Sequence, residues 1–317
     1  MLIFTFANSL INKMTSINIH NLSKSYGDTR AVQRLSLEVK KGELFGLIGP
    51  DGAGKTTVFR MLTTLILPDE GSATVEGSDI VRDYKQIRNC VGYMPGRFSL
   101  YQDLTVQENL EFFATVFGTT IEQNYSLIKD IYEQIKPFSN RRAGKLSGGM
   151  KQKLALCCAL IHKPEVLFLD EPTTGVDAVS RKEFWQMLAK LKAQGITILV
   201  STPYMDEASL CDRIALMQAG KILTTSTPEQ IIADYPTTLY AVKAPDLYAL
   251  LQHLRQKPEI DSCYPFGEYL HLTLKEATDP YQFEQQLTKN FSEVEWKPIT
   301  PTIEDSFIRL MEEKGNI

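Results

Sequence analysis

The residues with the clearest chemistry lie in residues 49–57, which read Gly-Pro-Asp-Gly-Ala-Gly-Lys-Thr-Thr. Gly49, Gly54, Lys55 and Thr56 fit the phosphate-loop pattern G-x-x-x-x-G-K-[ST] between a short apolar run and a helical pattern. Glycines let consecutive N–H groups point inward at phosphate oxygens, and the following helix adds its positive dipole end. Lysine in this position bridges the β- and γ-phosphates, and threonine holds Mg²⁺. The pattern therefore predicts a nucleoside triphosphate site.

A pair of carboxylates forms the second reactive group. Asp170 and Glu171 follow residues 166–169, Val-Leu-Phe-Leu, an apolar run typical of a strand buried on both faces. Ligands of open α/β sheets collect at the carboxyl ends of the strands. We therefore predict that Asp170 holds Mg²⁺ and that Glu171 is a general base that orients and polarises water. A simpler alternative is that both acids are merely solvated at the end of the strand. The phosphate loop upstream argues against this alternative.

Two further candidates are ambiguous from the residues alone. Tyr26 lies in a predicted turn, where its ring could stack on a base or simply cap a small sheet. Ser147, Gly148 and Gly149 precede a predicted helix and could bind an anion. Taken by themselves, however, these three residues are an ordinary helix cap.

The elements that would position these groups alternate as in an α/β protein. Two antiparallel strands, near residues 16–21 and 31–39, precede the phosphate-loop strand. A helical block at about 100–142 interrupts the sheet pattern, and Thr105 with Glu108 predicts a capping box at its start. After Tyr235 a linker leads into a weaker α+β region of roughly 80 residues. Its predicted strands are near 239–242 and 269–274, and its predicted helices are near 246–255, 281–290 and 303–311.

Composition limits the classes of function. A net charge of −4 argues against a nucleic-acid binder that relies on bulk charge, and 43% hydrophobic residues is ordinary for a globular protein. No stretch approaches the roughly 20 apolar residues of a membrane-spanning helix. Residues 1–14 lack the features of a signal peptide, so we interpret them as a tail or an upstream start, with Met14 as an alternative start. The five cysteines and four histidines show no metal-ligand spacing, which favours reduced thiols in a cytosolic protein.

Taken together, five stretches over residues 17–235 resemble the ATP-binding subunits of bacterial ABC transporters, especially the drug-efflux and export type. The resemblance implies a Walker A loop at 49–57, a Walker B strand at 166–171, a signature motif at 146–150 and a D-loop at 175–177. The implied cofactors are ATP and Mg²⁺. The implied nucleotide-binding residues are Tyr26, Gly49, Asp51, Gly52, Ala53, Gly54, Lys55, Thr56, Thr57, Ser147, Gly148, Gly149 and Asp177. Lys55 and Glu171 are the implied catalytic residues, and Thr56 and Asp170 the implied metal ligands.

The resemblance also implies an architecture and partners. The expected fold is a P-loop NTPase of the ABC nucleotide-binding type, with an antiparallel β subdomain and a helical insert, at residues 15–235. Residues 236–317 would form a small C-terminal α+β accessory domain. Two such ATPase domains meet head to tail, so that the signature of one covers ATP on the Walker A loop of the other. Integral-membrane permease subunits, reached through the helical insert at the cytosolic face of the membrane, are the other expected partners.

Two positions depart from the family pattern. Gly96 stands where the family usually has glutamine, and Pro203 where it usually has histidine; neither supplies a side-chain donor, although Arg97 could reach inward. Asp51, where asparagine is more usual, adds a possible negative charge near the phosphates. We therefore expect slow turnover at this chain's own site and a heterodimer with a second ABC ATPase. A homodimer that tolerates both changes is the alternative.

Other classes of function fit less well. A soluble ABC-type ATPase or nucleotide-binding regulator without a permease is the main alternative. Repair types carry long coiled coils, and the translation-factor type usually carries two ATPase domains; neither pattern occurs in this sequence. A P-loop kinase would leave the motif at 146–150 and the Asp170–Glu171 pair without a shared role.

Overall fold

The computed structural model describes residues 14–96 and 100–313, and the chain divides into two compact units between Pro228 and Glu229. The strands of the first unit are β1 (Thr15–Tyr26), β2 (Thr29–Lys40), β3 (Leu44–Ile48), β4 (Glu70–Val75), β5 (Ser78–Asp79), β6 (Val91–Met94), β7 (Val166–Asp170), β8 (Thr197–Thr202), β9 (Arg213–Gln218) and β10 (Lys221–Ser226). Its helices are α1 (Lys55–Leu62), α2 (Tyr84–Cys90), α3 (Val106–Val116), α4 (Tyr125–Ile135), α5 (Gly148–Leu160) and α6 (Ala178–Ala193). Short 3₁₀ helices cover Lys136–Phe138, Ala143–Lys145 and Met205–Leu210.

The first unit is built on two sheets. Four strands form an antiparallel sheet in the order β2-β1-β4-β5, and six form a second sheet in the order β10-β9-β3-β8-β7-β6. In the second sheet β3 pairs in parallel with β8 and β9, and β7 pairs in parallel with β6 and β8. The five residues of β3 and the five of β7 are all buried, as parallel strands covered on both faces require. The expected P-loop NTPase arrangement is therefore confirmed.

One hydrophobic core runs beneath both sheets of this unit. Fully buried side chains from β1, β3, α1 and β7 pack together, and the rings of Phe59 and Phe168 meet edge to face with centroids 6.0 Å apart. Phe59 lies on α1 and Phe168 on β7. Because these two elements carry Lys55 and Asp170, the core holds the two ends of the candidate site at a fixed distance.

The helical block forms as predicted between β6 and β7, although its second helix is shorter than expected. Thr105 accepts a hydrogen bond from the Glu108 N–H, and the Glu108 carboxylate accepts one from the Thr105 N–H, which confirms the capping box. Helix α4 begins at Tyr125 rather than at Ile121. Gln123 bonds Thr119 and Thr120 there, so side chains satisfy groups that another helical turn would have paired.

His162 joins the end of α5 to the sheet and gives the unit a predicted pH dependence. Its Nε2 lies 3.0 Å from the Val91 carbonyl oxygen, its ring stacks on Phe117, and its buried Nδ1 has no hydrogen-bond partner among the described residues. Burial lowers the pKa of His162 below its ordinary value near 6.5. The unfolded chain therefore binds a proton at higher pH than the folded chain, and this stability contribution, present above about pH 6.5, is lost as the pH falls towards the folded pKa.

We expect His162→Gln to reduce that pH dependence, because an amide can still donate to Val91 but does not titrate. Urea unfolding of both proteins at pH 7.5 and pH 5.5 measures the difference in unfolding free energy. Wild type should lose more stability between these two pH values than the variant. Equal losses would contradict a neutral, partly buried His162.

The second unit is a sheet of four strands flanked by helices. Its strands are β11 (Leu239–Lys243), β12 (Ile260–Phe266), β13 (Tyr269–Leu274) and β14 (Glu295–Ile299), and its helices are α7 (Pro228–Ala233), α8 (Leu247–Arg255), α9 (Pro280–Asn290) and α10 (Ile303–Glu313). All neighbouring strands are antiparallel, in the order β12-β13-β11-β14. The sequence β11-α8-β12-β13-α9-β14 with this order is the split βαβ arrangement of ferredoxin-like folds.

A buried polar cluster joins α10 to this sheet. The Asp305 carboxylate lies 2.7 Å from His271 Nδ1, accepts a hydrogen bond from the Tyr264 hydroxyl at 2.8 Å and accepts two from Thr302 at 2.7 Å. Although burial opposes it, these hydrogen bonds hold the pKa of Asp305 below its ordinary value.

Within the described residues of the chain, no helix is long and apolar enough to span a bilayer.

Candidate nucleotide-binding site

The loop between β3 and α1 has a backbone that only glycine permits at two positions. Gly54, the residue before α1, has φ +106°, and a Cβ added there would lie 2.2 Å from the Ala31 carbonyl oxygen. A Cβ at Gly49 would lie 2.1 Å from the carbonyl oxygen of Met217. Both contacts are with backbone, which cannot rotate away. The sequence therefore specifies this loop conformation, with helix α1 starting directly behind it.

Lys55 is the buried cation of the loop. The residue is 3% exposed, and its Nζ donates to the carbonyl oxygens of Gly49 at 2.7 Å and Pro50 at 3.0 Å. Nζ also lies 3.1 Å from Glu171 Oε1. A buried ammonium needs such partners, because an unpaired charge in the interior is strongly disfavoured. Lys55 thus joins the phosphate loop to the end of β7, as the sequence predicts for neighbouring groups of one site.

Asp170 and Thr56 meet at the same point. The Thr56 hydroxyl donates to Asp170 Oδ1 at 3.2 Å, and the Ser201 hydroxyl donates to the same oxygen at 2.7 Å. Asp170 is almost fully buried. No group of three or more His, Cys, Asp or Glu side chains arranged to hold a metal occurs in residues 14–96 and 100–313. One carboxylate and one hydroxyl suit Mg²⁺ in particular, since this ion is usually held by one or two carboxylates together with phosphate oxygens and water.

Glu171 has a backbone conformation that is rare outside glycine. Its φ is +52°, and its N–H donates to the Ser201 carbonyl at 3.1 Å and to the Ser201 hydroxyl at 3.0 Å. A non-glycine residue held at positive φ costs on the order of 1–3 kcal/mol and is concentrated at functional sites. The side chain remains partly exposed at 22%, so it reaches solvent at the carboxyl end of β7. Ser201, near the end of β8, positions both acids, although its local sequence pattern indicates no such role.

Lys55, Thr56 and Glu171 open onto one cavity of about 650 Å³, whereas the buried Asp170 lies behind Thr56 and does not line it. Its lining includes Gly52, Ala53, Gly54, Lys55, Thr56, Thr57, Tyr26 and Glu171, all of which the sequence predicts for the site. Tyr26 is 47% exposed at the end of β1. Asp28, Thr29, Arg30, Ala31, Gln33 and Ala219 also line the cavity. No local pattern indicates these six residues, because only the folded sheets bring the start of β2 and the β9–β10 turn beside the loop.

The other predicted residues lie elsewhere in the unit. Ser147 is the N-cap of α5 and accepts a hydrogen bond from the Met150 N–H, while Asp177 is the N-cap of α6. A Cβ on Gly149 would lie 2.6 Å from Ser180 Oγ, so the start of α5 packs against the start of α6. Ser147, Gly148, Gly149 and Asp177 do not line the cavity, and neither do Gly49 and the exposed Asp51. A role for the α5 and α6 residues in nucleotide binding would therefore require a second ATPase domain.

The two departures from the expected pattern lie next to the acids. A Cβ on Gly96 would lie 2.9 Å from the Asp170 carbonyl oxygen, so the backbone after β6 approaches β7 closely. Pro203 directly follows β8, whose last residues include Ser201. Neither residue offers a side-chain hydrogen-bond donor. Arg97, which we considered as a substitute, lies outside the described residues.

Comparison with known proteins identifies the family. A model of the ABC transporter family matches residues 32–174. Nod factor export ATP-binding protein I of Rhizobium sp. (strain N33) is 35% identical over 302 residues, which cover 93% of this chain and 96% of that protein. The chain belongs to the ABC transporter ATP-binding family. It is also 39% identical over 302 residues to YbhF, a probable multidrug ABC transporter ATP-binding protein of Escherichia coli (strain K12), but spans only 52% of that relative's length.

Solved structures agree with this ABC assignment. An ATP-binding subunit of an ABC transporter superposes with a TM-score of 0.64 and 25% identity, covering 70% of this chain and 93% of that one. A dimeric bacterial ABC transporter cassette superposes with a TM-score of 0.60 and 25% identity, covering 67% of this chain and 98% of that one. The resemblance inferred from the motifs is confirmed at the level of family and fold.

Proposed function

We propose that this chain binds Mg·ATP in the cavity above α1 and hydrolyses it to drive a membrane exporter of drugs or other small molecules. The observation that carries the proposal is a single cluster in which Lys55 lies 3.1 Å from Glu171 and Thr56 bonds Asp170 at 3.2 Å. The names of the relatives, which refer to multidrug transport and to Nod factor export, support export by this chain as well.

Each residue of the cluster has a distinct part in this scheme. Lys55 and the backbone of residues 52–57 bind the phosphates, and the exposed ring of Tyr26 stacks on the adenine. Thr56 and Asp170 hold Mg²⁺, which when bound neutralises charge on the phosphate oxygens. Glu171 accepts a hydrogen bond from water and orients it, a role that its partly exposed position permits.

The site is proposed to be slow and to be paired with a faster one. Removing one preorganised donor to the transition state costs about 10²–10³ in rate, and Gly96 and Pro203 each lack such a donor. Ser147, Gly148, Gly149 and Asp177 are present but lie away from the cavity. They would complete the site of a second ATPase chain in a head-to-tail heterodimer. The dimeric cassette among the similar structures supports dimer formation, but not the identity of the second chain. The alternative arrangement is a homodimer of this chain.

A groove between the helical block and the sheet is the proposed contact with permease subunits. Its volume is about 500 Å³, and Met94, Leu100, Phe113, Val116 and Phe117 line it. Val116 and Leu65, which also lines the groove, are 60% and 55% exposed, so the groove presents adjoining apolar surface to a partner. The proposed location is therefore the cytoplasmic face of the cell membrane, with the chain bound to membrane subunits rather than spanning the membrane.

Purification from membranes tests the transport assignment against the soluble-ATPase alternative. Tagged wild-type chain should bring down an integral-membrane partner, and Val116→Asp should reduce the yield of that partner about tenfold. Tyr281→Asp is the matched control, because Tyr281 is similarly exposed at 67% but lies on α9. Recovery of the chain with no membrane protein, from cells that express its neighbouring genes, would favour the soluble alternative.

A further inference from the structure

Glu207 is a buried carboxylate at the centre of three segments of the first unit. It lies in the 3₁₀ helix Met205–Leu210 and is only 2% exposed. Its Oε2 accepts hydrogen bonds from the Thr202 hydroxyl at 2.5 Å and from the Thr173 hydroxyl at 3.0 Å. Thr202 ends β8, beside Pro203, and Thr173 lies between Glu171 and Asp177. One carboxylate oxygen thus ties together the segments that follow two neighbouring parallel strands.

The other oxygen of Glu207, Oε1, faces the Arg181 guanidinium at a distance longer than that of a hydrogen bond. Arg181 Nε lies 3.7 Å from Glu207 Oε1, and both atoms are buried without a hydrogen-bond partner among the described residues. The guanidinium also stacks over the Tyr204 ring at 4.3 Å and lies 3.5 Å from Asp206 Oδ2. Arg181 belongs to the first turn of α6, and its N–H bonds the carbonyl of Asp177. The pair therefore connects the start of α6 to the loop after β8.

Glu207 is buried and Arg181 is partly buried, and such an ion pair is seldom the most stabilising solution, because removing charge from water costs much of what the attraction returns. Here Thr173, two residues after Glu171, bonds Glu207, and Arg181, which bonds Asp177, faces it. Glu207 thus links the segment from Glu171 to Asp177 to the loop that carries Pro203. We propose that Glu207, with Arg181, is a positioning residue for ATP hydrolysis: it fixes the segment from Glu171 to Asp177 against the loop after β8. This inference depends on the proposed ATPase function.

The test separates positioning from binding and from folding. The variant Glu207→Gln keeps an oxygen that accepts from the two threonine hydroxyls but removes the charge that faces Arg181. Single-turnover hydrolysis, with the full chain in excess over radiolabelled Mg·ATP, gives the rate at this chain's own site. A fluorescent ATP analogue gives the binding affinity, and thermal unfolding gives the stability of each variant.

We expect Glu207→Gln and Arg181→Gln each to lower the single-turnover rate about tenfold and to change ATP affinity less than twofold. The double variant should be no slower than either single variant, because the two residues act as one unit. Arg181→Lys, which keeps the charge, should recover most of the rate. Arg181 is 25% exposed, so its variants carry the test if Glu207→Gln fails to fold.

Unchanged single-turnover rates in the variants would overturn the proposal, as would rate losses that multiply in the double variant. A loss of affinity and thermal stability in proportion to the rate would assign Glu207 a merely structural role and overturn it equally. Wild-type chain that does not bind Mg·ATP would be a separate result, since it would reject the proposed function itself.

Discussion

Replacing Lys55 with alanine is expected to lower the affinity for Mg·ATP about 100-fold. The Lys55 ammonium is buried and already oriented by the carbonyls of Gly49 and Pro50, so it contributes a fixed positive charge to the phosphate site. Hydrogen bonds to charged groups are worth about 1.5–3 kcal/mol, and about 2.7 kcal/mol corresponds to 100-fold in affinity. Isothermal titration with Mg·ATP measures the change directly.

A control for the Lys55 variant separates charge at the site from charge in general. Lys85→Ala removes an exposed lysine from α2, away from the cavity, and should bind Mg·ATP as wild type does. Because Lys55→Ala also leaves Glu171 without its partner, circular dichroism should be recorded to establish that the variant is folded. A folded Lys55→Ala protein with unchanged affinity would contradict the assigned site.

Restoring histidine and glutamine should raise ATP turnover by this chain. Pro203→His adds a donor directly after β8 and is expected to increase the rate about tenfold; adding Gly96→Gln should give little further increase. Gly96→Gln alone should have a small effect, since its Cβ would lie 2.9 Å from the Asp170 carbonyl oxygen and the loop must first shift. Steady-state phosphate release by the purified variants gives these rates.

Pro203→Ala is the control for relief of the proline constraint, and it should leave the turnover close to that of wild type. If the doubly substituted protein is no faster than wild type, then missing donors do not limit this site. A wild-type rate that already equals that of the substituted protein would lead to the same conclusion. Binding of Mg·ATP should be similar in all of these proteins, because phosphate loop and metal ligands are unchanged.

The chemistry of the site was largely predictable from short stretches of sequence. Lys55 and Thr56 must follow a tight glycine loop, and Asp170 and Glu171 must follow a buried strand, so local patterns fixed their place in the parallel sheet. The structure confirms the P-loop fold and brings these four residues together. The order of the five motifs along the chain was also sufficient to predict the family.

The features that the sequence did not reveal are of two kinds. Some depend on contacts between residues far apart in the chain, and others are edge strands that contain proline. Ser201 and Glu207 act through partners about 30 residues away, which no local pattern indicates. Strands β12 and β14, which were not predicted, contain Pro265 and Pro298, and proline usually argues against a strand. Both prove to be the edge strands of their sheet, where a missing N–H is tolerated.

The most direct test of the unequal-site account is ATP hydrolysis by this chain alone and mixed with a second ABC ATPase from a neighbouring gene. The chain alone should be slow and the mixture fast. In the mixture, Glu171→Gln should change the rate little, whereas replacing the partner's catalytic glutamate, or Ser147→Arg in this chain, should abolish it. Full-rate hydrolysis by the chain alone that disappears with Glu171→Gln would contradict the account.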